Sequence, residues 1–242
     1  MEPKKRNVPR HFQFQYPTFG TAKKPKTEAS WEKTVYFWWF EYLKRNTAYL
    51  ALLDSGLESE ITRDFGDPRN RTFKDWWTED NRGAYLFAEP ESDTVERLNG
   101  GDVVSDDPSI LTLSFPLTLP KEFLKKKLDR FLDQNHKGKA GVRHSLFSRA
   151  KYQFNGQPNI DSLKRDLTVY DRHIENPGIP LIESCKDLWW VAYPKESLKK
   201  EFGTSDYSNQ KATEQGKLKR QLKRVIKAIE ATSLGCFPKI VT

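Results

Sequence analysis

Three features of the sequence predict a mainly α-helical fold with a minor β element, of the α+β class. Apolar residues recur at steps of three and four over several long stretches. Only one stretch alternates in the manner of a half-buried strand. Five aromatics stand in unbroken succession from Tyr36 to Phe40; this excludes alternation there and suits a helix buried on most of its girth.

Residues 1–30 carry Pro3, Pro9, Pro17 and Pro25 among scattered lysines and show no sustained apolar period. That composition describes a basic arm or tail, whose Phe12, Phe14, Tyr16 and Phe19 are suited to pinning it to a partner or to its own core. Ser30, a good N-cap, then opens a helix predicted to run to Gly56. Val35, Trp39, Tyr42, Asn46, Tyr49 and Leu53 form one face of it, and Tyr36, Phe40, Leu43 and Leu50 an adjacent one. Core burial is the expected meaning of this pattern, with a stacking platform for flat ligands as the competing one.

Asp67-Pro68 marks a turn, Phe73, Trp76 and Trp77 suggest a short amphipathic helix, and residues 84–88 read as a short strand. The Gly- and Asp-rich stretch Asn99 to Ser109 is a loop and a module boundary. Leu111, Leu113 and Phe115 alternate with Thr112 and Ser114, a half-buried strand. Pro120 opens a helix in which Phe123, Leu124, Leu128, Phe131 and Leu132 are expected to face inward and Lys125, Lys126 and Arg130 outward.

A glycine-rich loop with almost no acid follows to Pro158. Leu163, Leu167, Tyr170 and Ile174 define a helix ended by Asn176-Pro177-Gly178. Short helices from Pro180 to Trp189 and from Pro194 to Phe202 complete a helix-turn-helix-like three-helix unit at 160–203. The last helix, from Lys217, carries Leu218, Leu222, Val225, Ile226 and Ile229 on one side. The elements group into a basic arm (1–30), an aromatic-rich acidic helical module (31–98), a basic strand–helix–loop with the three-helix module (110–206) and a basic amphipathic C-terminal helix (207–242).

Charge follows these groups. Of 242 residues, 41 are basic and 33 acidic, a net charge of +8. Residues 1–30 hold 7 basic and 2 acidic groups, 31–109 hold 9 and 17, 110–160 hold 10 and 3, 161–206 hold 7 and 9, and 207–242 hold 8 and 2. Such blocks suit a polyanion ligand, whose affinity scales with the counterions displaced locally. Mutual neutralisation of the blocks within one fold is the plainer alternative.

Several classes are disfavoured. Mean hydropathy is −0.78, and no apolar stretch approaches the roughly 20 residues that span a bilayer, so no membrane partner is expected. The N-terminus lacks the apolar region of a secretory signal. The two cysteines, Cys185 and Cys236, have no metal spacing, which fits a reducing, cytoplasmic setting. No nucleotide-binding glycine loop, nucleophile elbow or zinc-protease motif is found, and no cofactor is expected. His136 and His144 share a basic loop without acids to hold a metal, and Asp161, Asp166 and Asp171 are spread around their helix.

The run Phe40-Glu41-Tyr42-Leu43-Lys44-Arg45-Asn46, followed by Tyr49, resembles a small domain of uncharacterised proteins from proteobacterial plasmids and integrative elements, labelled a transcriptional-regulator domain. Trp76, Trp77 and Leu86-Phe87-Ala88-Glu89-Pro90 continue the likeness, which covers residues 36–90. An insertion around Asp64 to Arg71, and Gly83-Ala84-Tyr85 in place of Trp-Gly, depart from it. The resemblance implies a bacterial mobile-element context and a DNA role, and supplies no catalytic residue.

The expected function is non-enzymatic binding of nucleic acid, DNA rather than RNA and double-stranded in form, by a regulatory or accessory protein of a mobile element. Phosphate contacts are expected from Lys125, Lys126, Arg130, Lys137, Lys139, Arg143, His144, Arg149 and Lys151, and from Lys217, Lys219, Arg220, Lys223, Arg224 and Lys227 of the last helix. The alternative is a protein-interaction adaptor docking through the aromatic helix and the Trp76-Trp77 and Trp189-Trp190 pairs. A nuclease using His136 or His144 is a third reading.

Overall fold

The computed structural model of the chain describes residues 12–89, 112–135, 148, 150–194 and 203–238. The mainly helical class with a minor β element holds. A two-residue hairpin, β1 (Gly20–Thr21) and β2 (Lys24–Pro25), leads into α1 (Glu28–Trp31) and the aromatic helix α2 (Val35–Leu43). Then come α3 (Thr47–Asp54), α4 (Glu60–Phe65), α5 (Phe73–Thr78) and α6 (Arg82–Phe87), the last preceded by a 3-10 turn at Glu79–Asn81. The second half holds α7 (Lys121–Asn135), β3 (Gln153–Phe154), α8 (Ile160–Glu175), α9 (Leu181–Ser184), the 30-residue α10 (Gly203–Thr232) and β4 (Cys236–Phe237). β1 pairs antiparallel with β2, and β3 pairs parallel with β4.

α2 is the centre, with eight of its nine residues buried. On one side Tyr36 meets Trp77 and Phe87 at ring separations of 5.1 and 5.2 Å, and Phe40 meets Trp76 at 5.1 Å. On the other side Trp39 meets Phe154 at 5.1 Å and Phe237 at 5.5 Å. Each such pair adds about 1 kcal/mol beyond the area it buries. α8 and α10 complete the wall with Leu163, Leu167, Val225 and Ile229. One hydrophobic core therefore draws on all the modules delimited by charge, including the arm, whose Phe12, Phe14 and Phe19 lie against it.

Several of the buried aromatics bond to backbone through their polar tips, whereas Trp39 Nε1 is buried without a partner among the described residues. Tyr42 donates to the Leu163 carbonyl (3.0 Å), Trp76 Nε1 to Phe65 (2.7 Å) and Tyr49 to Gly66 (2.7 Å). Gln13 acts as a missing strand: its amide donates to the Phe154 carbonyl (3.1 Å) and accepts from the Phe154 N–H (3.0 Å).

The structure corrects several expectations. The helix predicted from Ser30 to Gly56 is three helices: Thr34 is extended (φ −109, ψ 142) between α1 and α2, and Asn46 leaves helical geometry (φ −79, ψ 94) and caps α3 by accepting from the Tyr49 N–H at 2.9 Å. Its Nδ2 also reaches the Ile229 carbonyl of α10 at 2.8 Å, so one side chain ends a helix and ties it to another. Residues 84–87, predicted as strand, are helical: Gly83, Leu86 and Phe87 are buried and Tyr85 is exposed, a helical pattern. A Cβ at Gly83 would lie 2.1 Å from the Trp77 ring, so glycine is what lets α6 approach α5.

Residues 112–116 form no strand, and Phe123 and Leu132 of α7 are exposed instead of facing inward. The second helix of the three-helix unit is a single turn, Leu181–Ser184, and the third, over 195–202, lies outside the described residues, as does the loop at Asn99 to Ser109. No helix among the described residues is long and apolar enough to cross a membrane.

Replacing Asn46 by Ala removes a cap and the tie to the Ile229 carbonyl, which keeps only the Thr232 hydroxyl as a side-chain donor. A loss of about 2–4 kcal/mol is expected in urea unfolding. Cys185 is fully buried and burial raises its thiol pKa, whereas Cys236 is partly exposed. A disulfide reagent should therefore modify Cys236 in the native protein and Cys185 only after unfolding; two thiols reacting at equal rates would contradict this.

Candidate nucleic-acid interface

The last basic block is carried by α10, a helix whose inward stripe of Leu218, Val225, Ala228 and Ile229 is buried against α2, α8 and α9. Residues three and four apart share a face, and those two from the stripe fall on the opposite one. There Lys219, Lys223 and Lys227 recur every fourth residue with Arg220 beside them, all exposed. At 1.5 Å per residue this row is about 12 Å long, and 3.4 Å per phosphate along one strand makes it span about four phosphates. None of the four has an acidic partner among the described residues. Glu230 is the one carboxylate in the sequence between Lys217 and Thr232.

Other cations expected to meet phosphate are engaged within the fold. Arg224 grips Asp166 of α8 with two bonds, Nε to Oδ2 at 2.6 Å and Nη2 to Oδ1 at 2.5 Å, and these bonds raise its pKa above the ordinary value. The Asp166 side chain is only 5% exposed, so this is the buried charge that Arg224 neutralises. Lys217 pairs with Glu214 at 2.5 Å one turn away. Lys151 sits 2.6 Å from Asp64 and 3.0 Å from Glu60, donates to the Tyr85 hydroxyl at 2.9 Å, and so is a tether between the basic block and the acidic module.

Lys125, Lys126 and Arg130 are exposed on α7, none of whose residues from 121 to 134 is buried. Lys137, Lys139, Arg143, His144 and Arg149 lie outside the described residues, and so does His136. The described residues thus bring four of the expected cations into one free row. Among them, no group of three or more His, Cys, Asp or Glu is placed to hold a metal ion.

Two further cationic features are exposed, the first at the Trp189-Trp190 pair expected as a docking surface and the second not anticipated from the sequence. Arg165 lies over the rings of Trp189 and Trp190, 5.0 and 5.7 Å from their centroids, and Trp189 is 79% exposed. The hairpin β1–β2 presents Lys23, Lys24 and Lys26 to solvent. The Trp-Trp and Lys-Lys pairs were visible as sequence, but their exposure depends on contacts distant in the chain.

The polar residues of the motif at 40–49 are used internally. Arg45 bonds Asp171 of α8 through Nε at 2.7 Å and Nη2 at 2.8 Å, and Glu41 through Nη1 at 2.8 Å; Tyr42, Asn46 and Tyr49 make the bonds described above. These residues of the motif accordingly serve the packing of α2 and α3 on α8 and α10. Comparison of the chain with family models, with curated proteins and with solved structures gives no match.

Adjacent substitutions on α10 separate the two classes of cation. Arg224→Gln strands the Asp166 carboxylate and is expected to lower stability by about 1–3 kcal/mol. Lys223→Gln should leave it within about 0.5 kcal/mol. Equal unfolding midpoints for the two variants would show that the Arg224 clamp does not form.

Proposed function

We propose that this chain binds nucleic acid through its phosphate backbone, as a non-enzymatic accessory or regulatory protein. The observation that carries the proposal is the exposed row Lys219, Arg220, Lys223 and Lys227, held on a packed helix and free of acidic partners among the described residues. Surface lysines alone are commonplace, but a fixed row is different. The entropy of positioning its backbone has already been met by the core, and each neutralised phosphate releases counterions. DNA is the favoured ligand, and the likeness of residues 36–90 to a mobile-element regulator domain supports the same setting. Groove reading by a helix-turn-helix forms no part of the proposal, since α9 is one turn long.

A second reading, a protein-interaction adaptor, keeps part of the surface expected for it, the Trp189-Trp190 pair, of which Trp189 is 79% exposed. Trp76, Trp77 and α2 are core, whereas Leu117 is 88% exposed and Phe115, Leu119, Phe123 and Leu132 are exposed with it. Such a patch suits a protein partner.

The readings separate in a salt titration of binding to a labelled DNA duplex. Four phosphate contacts give a slope of log affinity against log salt of about −3.6, and Lys219→Gln with Lys223→Gln reduces its size by about 1.8. A slope untouched by the double substitution, or early elution from heparin, would remove the backbone-binding proposal and leave the adaptor.

A further inference from the structure

A second candidate surface lies away from α10, where the arm crosses α5. It is a cleft of about 420 Å³ whose walls are the rings of Phe12, Tyr16, Phe19 and Trp77, within the size range of small-ligand sites. Tyr16 stacks one face on Phe12, with centroids 5.1 Å apart and planes 25° apart, and remains 50% exposed. A flat aromatic ligand therefore finds an open ring face on an ordered support.

The rim supplies polar groups of defined kind. Asn81, exposed, lines the cleft from a turn in which Asp80 (φ 46) and Asn81 (φ 63) are both left-handed. It stands at the N-cap of α6, yet its side chain makes no capping bond. A carboxamide presents a donor and an acceptor side by side, the pair that matches a nucleobase edge.

The third group is a cation. Gly20 is left-handed (φ 76), and a Cβ there would lie 2.2 Å from the Lys24 carbonyl, so glycine permits the hairpin to close. Closure returns Lys26 to the cleft: its N–H donates to the Phe19 carbonyl at 3.0 Å, and its ammonium donates to the hydroxyl of Thr18, a lining residue.

From a stacking face, an edge-reading amide and an ammonium at the rim, we infer that this cleft takes one unpaired nucleobase of a single-stranded nucleic acid, with Lys26 meeting the adjoining phosphate. The inference rests on the backbone-binding reading and adds to it the form of strand recognised. The positive charge at the rim sets this ligand apart from a proline-rich peptide, which the aromatic walls alone would also suit.

The test uses the full chain and two labelled oligomers of about 12 nucleotides with equal phosphate counts, one of thymine nucleotides and one abasic throughout. The thymine strand should bind about tenfold more tightly, with the same salt slope, because the backbone sets that slope. Tyr16→Ala and Asn81→Gly should each bring the ratio to about twofold or less. Asn81→Gly suits the left-handed turn, so loss of the preference with an unchanged or raised melting temperature separates recognition from misfolding.

Equal, salt-dependent affinity for both strands would overturn the cleft and leave the α10 row standing. Binding of neither strand would overturn the cleft, and the duplex titration alone would then decide the α10 row. Thymidine monophosphate, or a proline-rich peptide, displacing the thymine strand at matching concentrations would overturn the assignment to a strand.

Discussion

Everything in this fold is arranged around the burial of α2. A helix with eight of nine residues inside the protein has no solvent face to spare, so it must be enclosed on all sides, and the chain supplies a separate wall for each. α5 and α6 give one, α8 and α10 another, and the short strands β3 and β4 bring Phe154 and Phe237 against Trp39. Aromatic side chains make this workable because each covers a large area with few rotatable bonds. They also fix the polar requirements. Tyr36, Tyr42, Tyr49 and Trp76 each need a backbone partner, and those partners lie in the arm, α8 and the turn after α4.

Enclosure of α2 also sorts the basic residues. Where α8 and α10 close over the core, a carboxylate at Asp166 and another at Asp171 are carried partly inside, and each is met by an arginine, Arg224 or Arg45. These guanidiniums are structural because a buried carboxylate without a partner is costly. The lysines one step around α10 face water, and the fold makes no use of their charge. One helix therefore holds two populations of cation, and only the free one is available to a polyanion.

Much of the helical skeleton was legible. The steps of three and four at Leu163, Leu167 and Tyr170, and Asn176-Pro177-Gly178 beyond them, gave α8 with its boundaries. Pro120 opened α7, and the run from Tyr36 to Phe40 was rightly assigned to the core. The break at Asn46 was hidden because Asn46 sits in phase with the apolar face of α2. Its Oδ1 makes the local cap, but its amide bond to the Ile229 carbonyl of α10 has no counterpart in the local pattern. The strand predicted at residues 84–88 failed because close packing of Gly83 on Trp77 favours a helix, a preference that no local pattern expresses.

The amino-acid pattern by itself determined the helical class, the buried aromatic centre and the concentration of basic charge near the C-terminus. Periodicity, capping and composition act within a turn or two of the chain, so they can be read locally. Tertiary structure alone decided which cations stay free and which become clamps. Arg224 and Asp166 are 58 residues apart, and Lys151 and Tyr85 are 66 apart. Their pairing depends on how α8, α10 and the acidic module close over α2, and polar contacts of that range leave no mark in the spacing of residues.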